Sequence, residues 1–193
     1  MVTRAPLDRQ TRIRKRVITI GLYLVILVGL AWFFESQSTT TIIFVRHAEK
    51  ETTGEDPGLT EAGKARAREL NRIMQIVDVD RSVDEVFSTQ FRRTQETVRP
   101  LAVSLGKDVH PYDASDTVGV LETILSEHRG KISLVAAHSN TIRPMIEELG
   151  GSKLLPDIEE NEYDNIYVVV IPWFGKVKTL RFTYGERYAP VSN

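Results

Sequence analysis

From Val17 to Phe34 the chain reads VITIGLYLVILVGLAWFF, without a single charge. Polar interruption is limited to Thr19 and Tyr23, whereas a helix packed into a soluble core normally keeps a polar stripe. A run of 18 residues is roughly the minimum that crosses the hydrocarbon core of a bilayer as a helix. The pattern therefore predicts a transmembrane helix over 17–34, preceded by a short N-terminal segment over 1–16 and followed by a polar linker over 35–40 (SQSTT at its end). A folded domain takes up 41–193. Trp32, Phe33 and Phe34 close the run. Aromatic residues suit a membrane interface, while a signal-peptidase site wants small residues after a shorter apolar stretch. The helix is accordingly expected to stay in place as a signal anchor.

Beyond the linker the apolar positions change period. Thr41 to Val45 (TIIFV) is β-branched and apolar without alternation, the pattern of a strand buried on both faces. After a turn-rich, charged stretch, Thr60 stands as an N-cap before a helix over EAGKARARELNRIMQIV. Val83–Ser88 reads as a second strand. Arg92–Leu105 reads as a helix containing Pro100 and stopped by Gly106. A weak strand, Asp108–Tyr112, leads to an amphipathic helix from Asp116 to His128 with Val120, Ile124 and Leu125 inward. KISLVAAH gives another apolar strand, and a helix from Asn140 to Leu149 follows it. Ile166–Ile171 and Lys178–Thr183 are strands joined by the PWFGK turn. Strands alternating with helices, then two consecutive strands, predict a three-layer α/β/α fold with a mostly parallel sheet and an antiparallel end.

Charge refines the picture of the N-terminus. Overall the chain balances 25 basic against 26 acidic side chains, a neutrality that excludes a nucleic-acid partner on electrostatic grounds. The distribution is uneven, since Arg4, Arg9, Arg12, Arg14, Lys15 and Arg16 crowd the first segment against Asp8 alone. Positive charge stays on the cytoplasmic side. The expected arrangement is a single-pass protein of the inner membrane, with a basic cytoplasmic N-terminus and the folded domain facing the periplasm or cell exterior. There is no cysteine, which removes disulfides, thiolate metal sites and a cysteine nucleophile from consideration.

In open parallel sheets the binding crevice lies beyond the carboxyl ends of the strands. Two histidines fall there: TIIFV runs into Arg46-His47-Ala48-Glu49, and ISLVAA runs into His138-Ser139-Asn140. If the two strands are neighbours, the imidazoles meet at one edge. Arg92 and Arg93 open a helix, against the direction of its dipole, and so want an anionic partner. Arg92, Arg99 and the KARAR run are otherwise expected to be a solvated basic face. His110 and His128 show no metal-ligand spacing and read as surface residues.

Taken in order, FVRHAEK, GLTEAGKARA, FSTQFRRTQETVRPLA and VAAHSNTIRPMIEELGG resemble the histidine phosphatase superfamily, the phosphoglycerate mutase-like family, over about residues 41–185. The resemblance implies that Arg46 and His47 stand for the family's Arg-His-Gly nucleophile motif, with Ala48 in place of glycine. It implies Arg93 as the second phosphate-binding arginine, framed by Ser88, Thr89 and Thr97, and His138 as the second histidine, with Ser139 beside it in the substrate site. Chemically this is coherent. A neutral imidazole is a competent nucleophile toward phosphorus, and flanking arginines disfavour its protonation. A protonated His138 would add a further positive donor toward phosphate. No metal or other cofactor is expected. The proton for the leaving oxygen is expected from Asp116, or from Asp113 nearby, although Asp116 has an equally good role as a helix N-cap. The implied activity is hydrolysis of a phosphate monoester carried by a small molecule or a head group. An inactive phosphate-recognising module, and a phosphohistidine-protein phosphatase or mutase, are the alternatives.

Overall fold

The computed structural model describes residues 9–36, 39–76 and 82–187, and the chain divides into two units, 1–38 and 39–193. The first holds one helix, α1 (Arg9–Ser36). It starts earlier than the hydrophobic run because Arg12 to Arg16 are themselves good helix formers. Its apolar side chains are exposed throughout, Val25 at 70% and Trp32 at 73%. The Thr19 hydroxyl is satisfied locally, donating to the Lys15 carbonyl at 2.9 Å. By length and composition α1 is able to cross a membrane, over Arg9–Phe34.

The second unit contains β1 (Thr39–Arg46), α2 (Glu61–Met74), β2 (Glu85–Thr89), α3 (Arg92–Leu105), β3 (Val109–Tyr112), α4 (Thr117–Glu127), β4 (Ile132–Ala137), α5 (Ser139–Glu148), β5 (Asn165–Pro172) and β6 (Lys178–Thr183). One sheet of six strands runs β3-β2-β4-β1-β5-β6. The first four strands in that order are parallel, and β5 and β6 add on in antiparallel sense. The expected topology is thus present. Alternate residues of the central strand feed opposite cores. Ile42 and Phe44 pack with Val120, Leu121, Ile124, Ile142 and Ile146 of α4 and α5, while Ile43 and Val45 pack with Leu70 of α2 and Val98 and Leu101 of α3. Helices therefore cover both faces, which makes the three layers.

Local signals act as expected at several ends. Thr60 caps α2, its hydroxyl accepting the Gly63 N–H at 3.1 Å. Gly106 ends α3 in the left-handed region with φ 62°, a conformation that costs glycine little. Pro100 does not break α3, which is continuous across it. Three expectations need correction. Thr39 and Thr40 belong to β1 rather than to a linker, because both pair across the sheet with β5, and Ser36 is still helical. In α4 Leu121 is buried and Leu125 is 37% exposed, since the face set by Val120 and Ile124 turns toward position 121 rather than 125. Helix α2 stops at Met74 with Gln75 as its cap, short of Ile76; Val77, the last residue of the expected helix, lies outside the described residues.

Candidate active site

Strands β1 and β4 are parallel neighbours with Arg46 in register with Ala137. The residues that follow, His47 and His138, therefore emerge side by side at the carboxyl edge of the sheet. The His47 N–H donates to the Ala137 carbonyl at 3.1 Å, extending the ladder by one bond. The two rings lie 5.5 Å apart between centroids, tilted by 60°. His47 is only 4% exposed.

The backbone fixes the tautomer of His47. Its Nδ1 is 2.8 Å from the Ala48 carbonyl oxygen, and a carbonyl only accepts, so Nδ1 carries the proton and Nε2 keeps a free lone pair. Ala48 is itself held from α3, its N–H donating to the Thr97 hydroxyl at 2.9 Å, while that hydroxyl donates to the Arg93 carbonyl at 2.7 Å. Burial, foremost, with Arg46, His138 and Arg93 adding to it, lowers the His47 pKa to about 3, against the opposing hydrogen bond to Ala48. Burial followed by Arg93 and Arg46 lowers His138 to about 4. Both rings are neutral at pH 7. For His138 this departs from the expected imidazolium: two guanidinium groups beside a buried ring favour its uncharged form. Its Nε2 lies 3.2 Å from the Thr89 hydroxyl.

Two arginines complete the edge. Arg46, 6% exposed, donates from Nη1 to the carbonyls of Glu159 and Glu162 at 2.7 and 3.0 Å and stacks 4.3 Å over the Tyr163 ring. Arg93 opens α3 with its guanidinium 4.3 Å over the Phe91 ring, and its Nη1 is 3.8 Å from Asp56. Phe91 in turn meets His138 edge-on at 5.4 Å. The Nε of Arg46 and the Nε of Arg93 are both buried and have no hydrogen-bond partner. Unpartnered buried donors are costly and mark a place where an anion belongs. The framing hydroxyls are buried as well: Ser88 donates to the Thr89 carbonyl at 3.0 Å, and Thr89 and Thr94 share a bond of 2.6 Å.

Among the described residues, no side-chain hydrogen bond joins the remaining expected site residues to either imidazole. Asp116 caps α4, accepting the Gly119 N–H at 3.0 Å. Asp113 accepts the backbone N–H and the hydroxyl of Ser115 at 2.8 and 2.6 Å, and these bonds hold its carboxyl below the usual range. Ser139 lines a cavity of about 550 Å³ with Asn140, Arg143 and Asp157, into which neither histidine opens. Arg92 is solvated and paired with Glu96 at 2.7 Å, as expected. Arg66 of the KARAR run is not. It is 11% exposed and pairs with Glu49 at 2.7 Å, clamping the turn just after the nucleophile candidate to α2. Gly63 permits that approach, because a Cβ there would collide with the Glu49 carbonyl. His128 is also more than a surface residue. It and His110 reach Glu85 at 3.2 and 3.1 Å, at the opposite end of the sheet, since Glu85 begins β2.

Sequence reasoning missed Tyr163, Phe91 and Asp56. Tyr163 lies in an irregular segment without periodicity. Phe91 alone carried a signal, as an aromatic residue directly ahead of the Arg92-Arg93 pair.

Comparison with known proteins agrees with this geometry. Residues 42–116 match the model of the histidine phosphatase superfamily (branch 1). The mycobacterial glucosyl-3-phosphoglycerate phosphatase is similar at 13% identity with a TM-score of 0.57, over 76% of this chain and 98% of that one. Phosphoglycerate mutase from Plasmodium falciparum is 16% identical with a TM-score of 0.57, over 81% of this chain and 99% of that one. The putative phosphohistidine phosphatase SixA from Nakamurella multipartitia is 18% identical with a TM-score of 0.57, over 79% of this chain and 98% of that one. No curated protein matches the sequence. Likeness at these identities establishes a shared fold, and the matched family segment runs from β1 through Arg46, His47 and Arg93 to the cap of α4. The chain therefore shares the fold of these proteins and, over residues 42–116, is similar in sequence to the histidine phosphatase superfamily.

Proposed function

We propose that this chain is a membrane-anchored phosphatase that hydrolyses a phosphate monoester through a phosphohistidine on His47. The observation that carries the reading is the Nδ1–H bond from His47 to the Ala48 carbonyl, which presents an unprotonated Nε2 between two arginines with unpartnered buried Nε–H groups. The likeness of residues 42–116 to the histidine phosphatase superfamily supports a phosphatase or mutase type of reaction. In the first step the Nε2 lone pair attacks phosphorus, the P–N bond forms and the P–O bond to the leaving group breaks. The guanidinium groups of Arg46 and Arg93 bind the equatorial oxygens and stabilise the charge that develops there. The departing alkoxide takes a proton from Asp116, the acid this reading assigns. Water then attacks phosphorus, giving a proton to the Asp116 carboxylate; the P–N bond breaks, phosphate departs, and Nε2 recovers its lone pair. His138 lies beside the phosphoryl group, and the arriving dianion raises its pKa and makes it a donor.

The test is capture of the intermediate. During turnover His47 should carry an acid-labile, base-stable phosphoryl group. His47→Ala should abolish both adduct and turnover while the protein remains folded; retained turnover in that variant would end the reading. For the anchor, the basic cluster ahead of α1 supports a domain on the periplasmic or outer face, and a reporter fused at Asn193 that is active only in the cytoplasm contradicts it.

A further inference from the structure

The end of the sheet opposite the histidines carries an unusual surface. The turn between β5 and β6 projects Trp173 and Phe174, 58% and 89% exposed, with Lys176 and Lys178 exposed beside them. A second loop joins it: the Ser152 N–H donates to the Thr179 hydroxyl at 2.9 Å. This brings exposed Lys153 and Leu154, the latter 93% exposed, to the same edge. Two loops from different parts of the chain thus present apolar tips flanked by lysines. Solvated surfaces scatter single apolar groups, whereas aromatic tips next to ammonium groups match the layered chemistry of a bilayer interface with anionic head groups.

Connectivity supplies a second, independent observation. Thr39, the first residue of β1, pairs with Pro172, the last residue of β5. The chain coming from α1 therefore enters the sheet next to this turn. Between Ser36 and Thr39 lie only residues 37 and 38, a length that reaches at most about 11 Å.

We propose that the β5–β6 turn, together with the 152–154 loop, inserts its apolar tips into the surface of the bilayer that α1 spans, with Lys153, Lys176 and Lys178 on anionic head groups. The inference rests on reading α1 as a membrane anchor. A domain tethered by two residues and held at a second point does not swing freely.

The experiment uses the full chain carrying Trp32→Phe, so that Trp173 is the sole tryptophan, reconstituted in vesicles of phosphatidylcholine and phosphatidylglycerol. Part of the lipid carries bromine near the glycerol end of its acyl chains. The expected result is loss of most Trp173 emission to bromine and little to aqueous iodide, with the bromine effect weakened by Phe174→Ser and by Lys176→Glu with Lys178→Glu. Turnover of nitrophenyl phosphate should be unchanged in these variants. Trp173 emission untouched by bromine and quenched by iodide, in a chain that resists alkaline carbonate, overturns the proposal while leaving the anchor intact. Bromine-insensitive shielding that vanishes as lipid is added in excess also overturns it, as contact between copies. Extraction by carbonate removes the anchor reading and this proposal with it, without touching the phosphatase reading.

Discussion

Thr97→Val is the most searching perturbation of the site that spares every group in contact with phosphate. Thr97 is fully buried, and its hydroxyl has two roles: it accepts the Ala48 N–H at 2.9 Å and donates to the Arg93 carbonyl at 2.7 Å. Valine keeps the shape and removes both bonds. The Ala48 N–H then remains buried without a partner, at a cost of about 1–3 kcal/mol. For a chain of this size, that lowers Tm by roughly 2–12 °C. A catalytic consequence follows from geometry. Ala48 also supplies the carbonyl that fixes the His47 tautomer, so a shift of its backbone misaims Nε2. Displacements on the order of 1 Å cost about a hundredfold in rate, and kcat on nitrophenyl phosphate should fall by about ten- to a hundredfold. Thr97→Ser retains both hydrogen bonds and should recover most of kcat. The assay is thermal unfolding of the detergent-solubilised chain alongside steady-state kinetics of all three proteins. A valine variant that keeps wild-type kcat, whatever its Tm, refutes the idea that α3 positions His47 through Ala48.

The lowered pKa values make two statements about pH. Because His47 stands at about 3 and His138 at about 4, kcat/KM corrected for the fraction of substrate present as dianion, whose second ionisation lies at about 6, should stay level from pH 7 to about 5 and decline only below that; an acid limb near 6.5 that survives this correction contradicts the burial argument. The same depression gives the sign for stability: the unfolded chain binds protons near 6.5 that the native site refuses until pH 3–4, so native stability falls as pH drops through that window. Asp116→Asn separates two roles for one residue, since asparagine caps a helix as well as aspartate does. Tm should hold, alkyl phosphate turnover should drop steeply, and nitrophenyl phosphate should be spared because its leaving group scarcely needs a proton; equal turnover of both esters by the variant removes Asp116 from the mechanism.

How much could be read from sequence depended on how local the physics was. Strands β1 and β4 are apolar runs that end abruptly in polar residues, so His47 and His138 were placed before any coordinates. Arg93 was legible because a cation at a helix N-terminus is electrostatically out of place. Arg66 was not, because its partner Glu49 sits across a loop and helical spacing carries no trace of it. Tyr163 and the carbonyls of Glu159 and Glu162 come from a segment without period that only the folded chain brings to Arg46. Leu125 was misassigned for a subtler reason: positions 121 and 125 are both apolar, and only packing against the sheet chooses between them.

Burying Arg46 would ordinarily cost several kcal/mol, and the way that cost is met says what the site is built to bind. Two backbone carbonyls and the face of Tyr163 offset part of it, but these are dipoles and leave the net charge in place. Burial accordingly lowers the pKa of Arg46 from its usual value, and the two imidazoles respond by giving up their protons rather than adding further cations. The edge of the sheet thus holds two fixed positive charges with a donor on each left over, and two neutral rings. Asp56 at 3.8 Å offsets part of the charge on Arg93 and nearby glutamates act on Arg46, so what is left unfilled is a pair of buried donors that calls for an anion with more than one oxygen. On the proposed phosphatase reading, monoesters, largely dianionic at neutral pH, should be bound in preference to diesters, because a terminal phosphoryl group has more charged oxygens to offer the two donors.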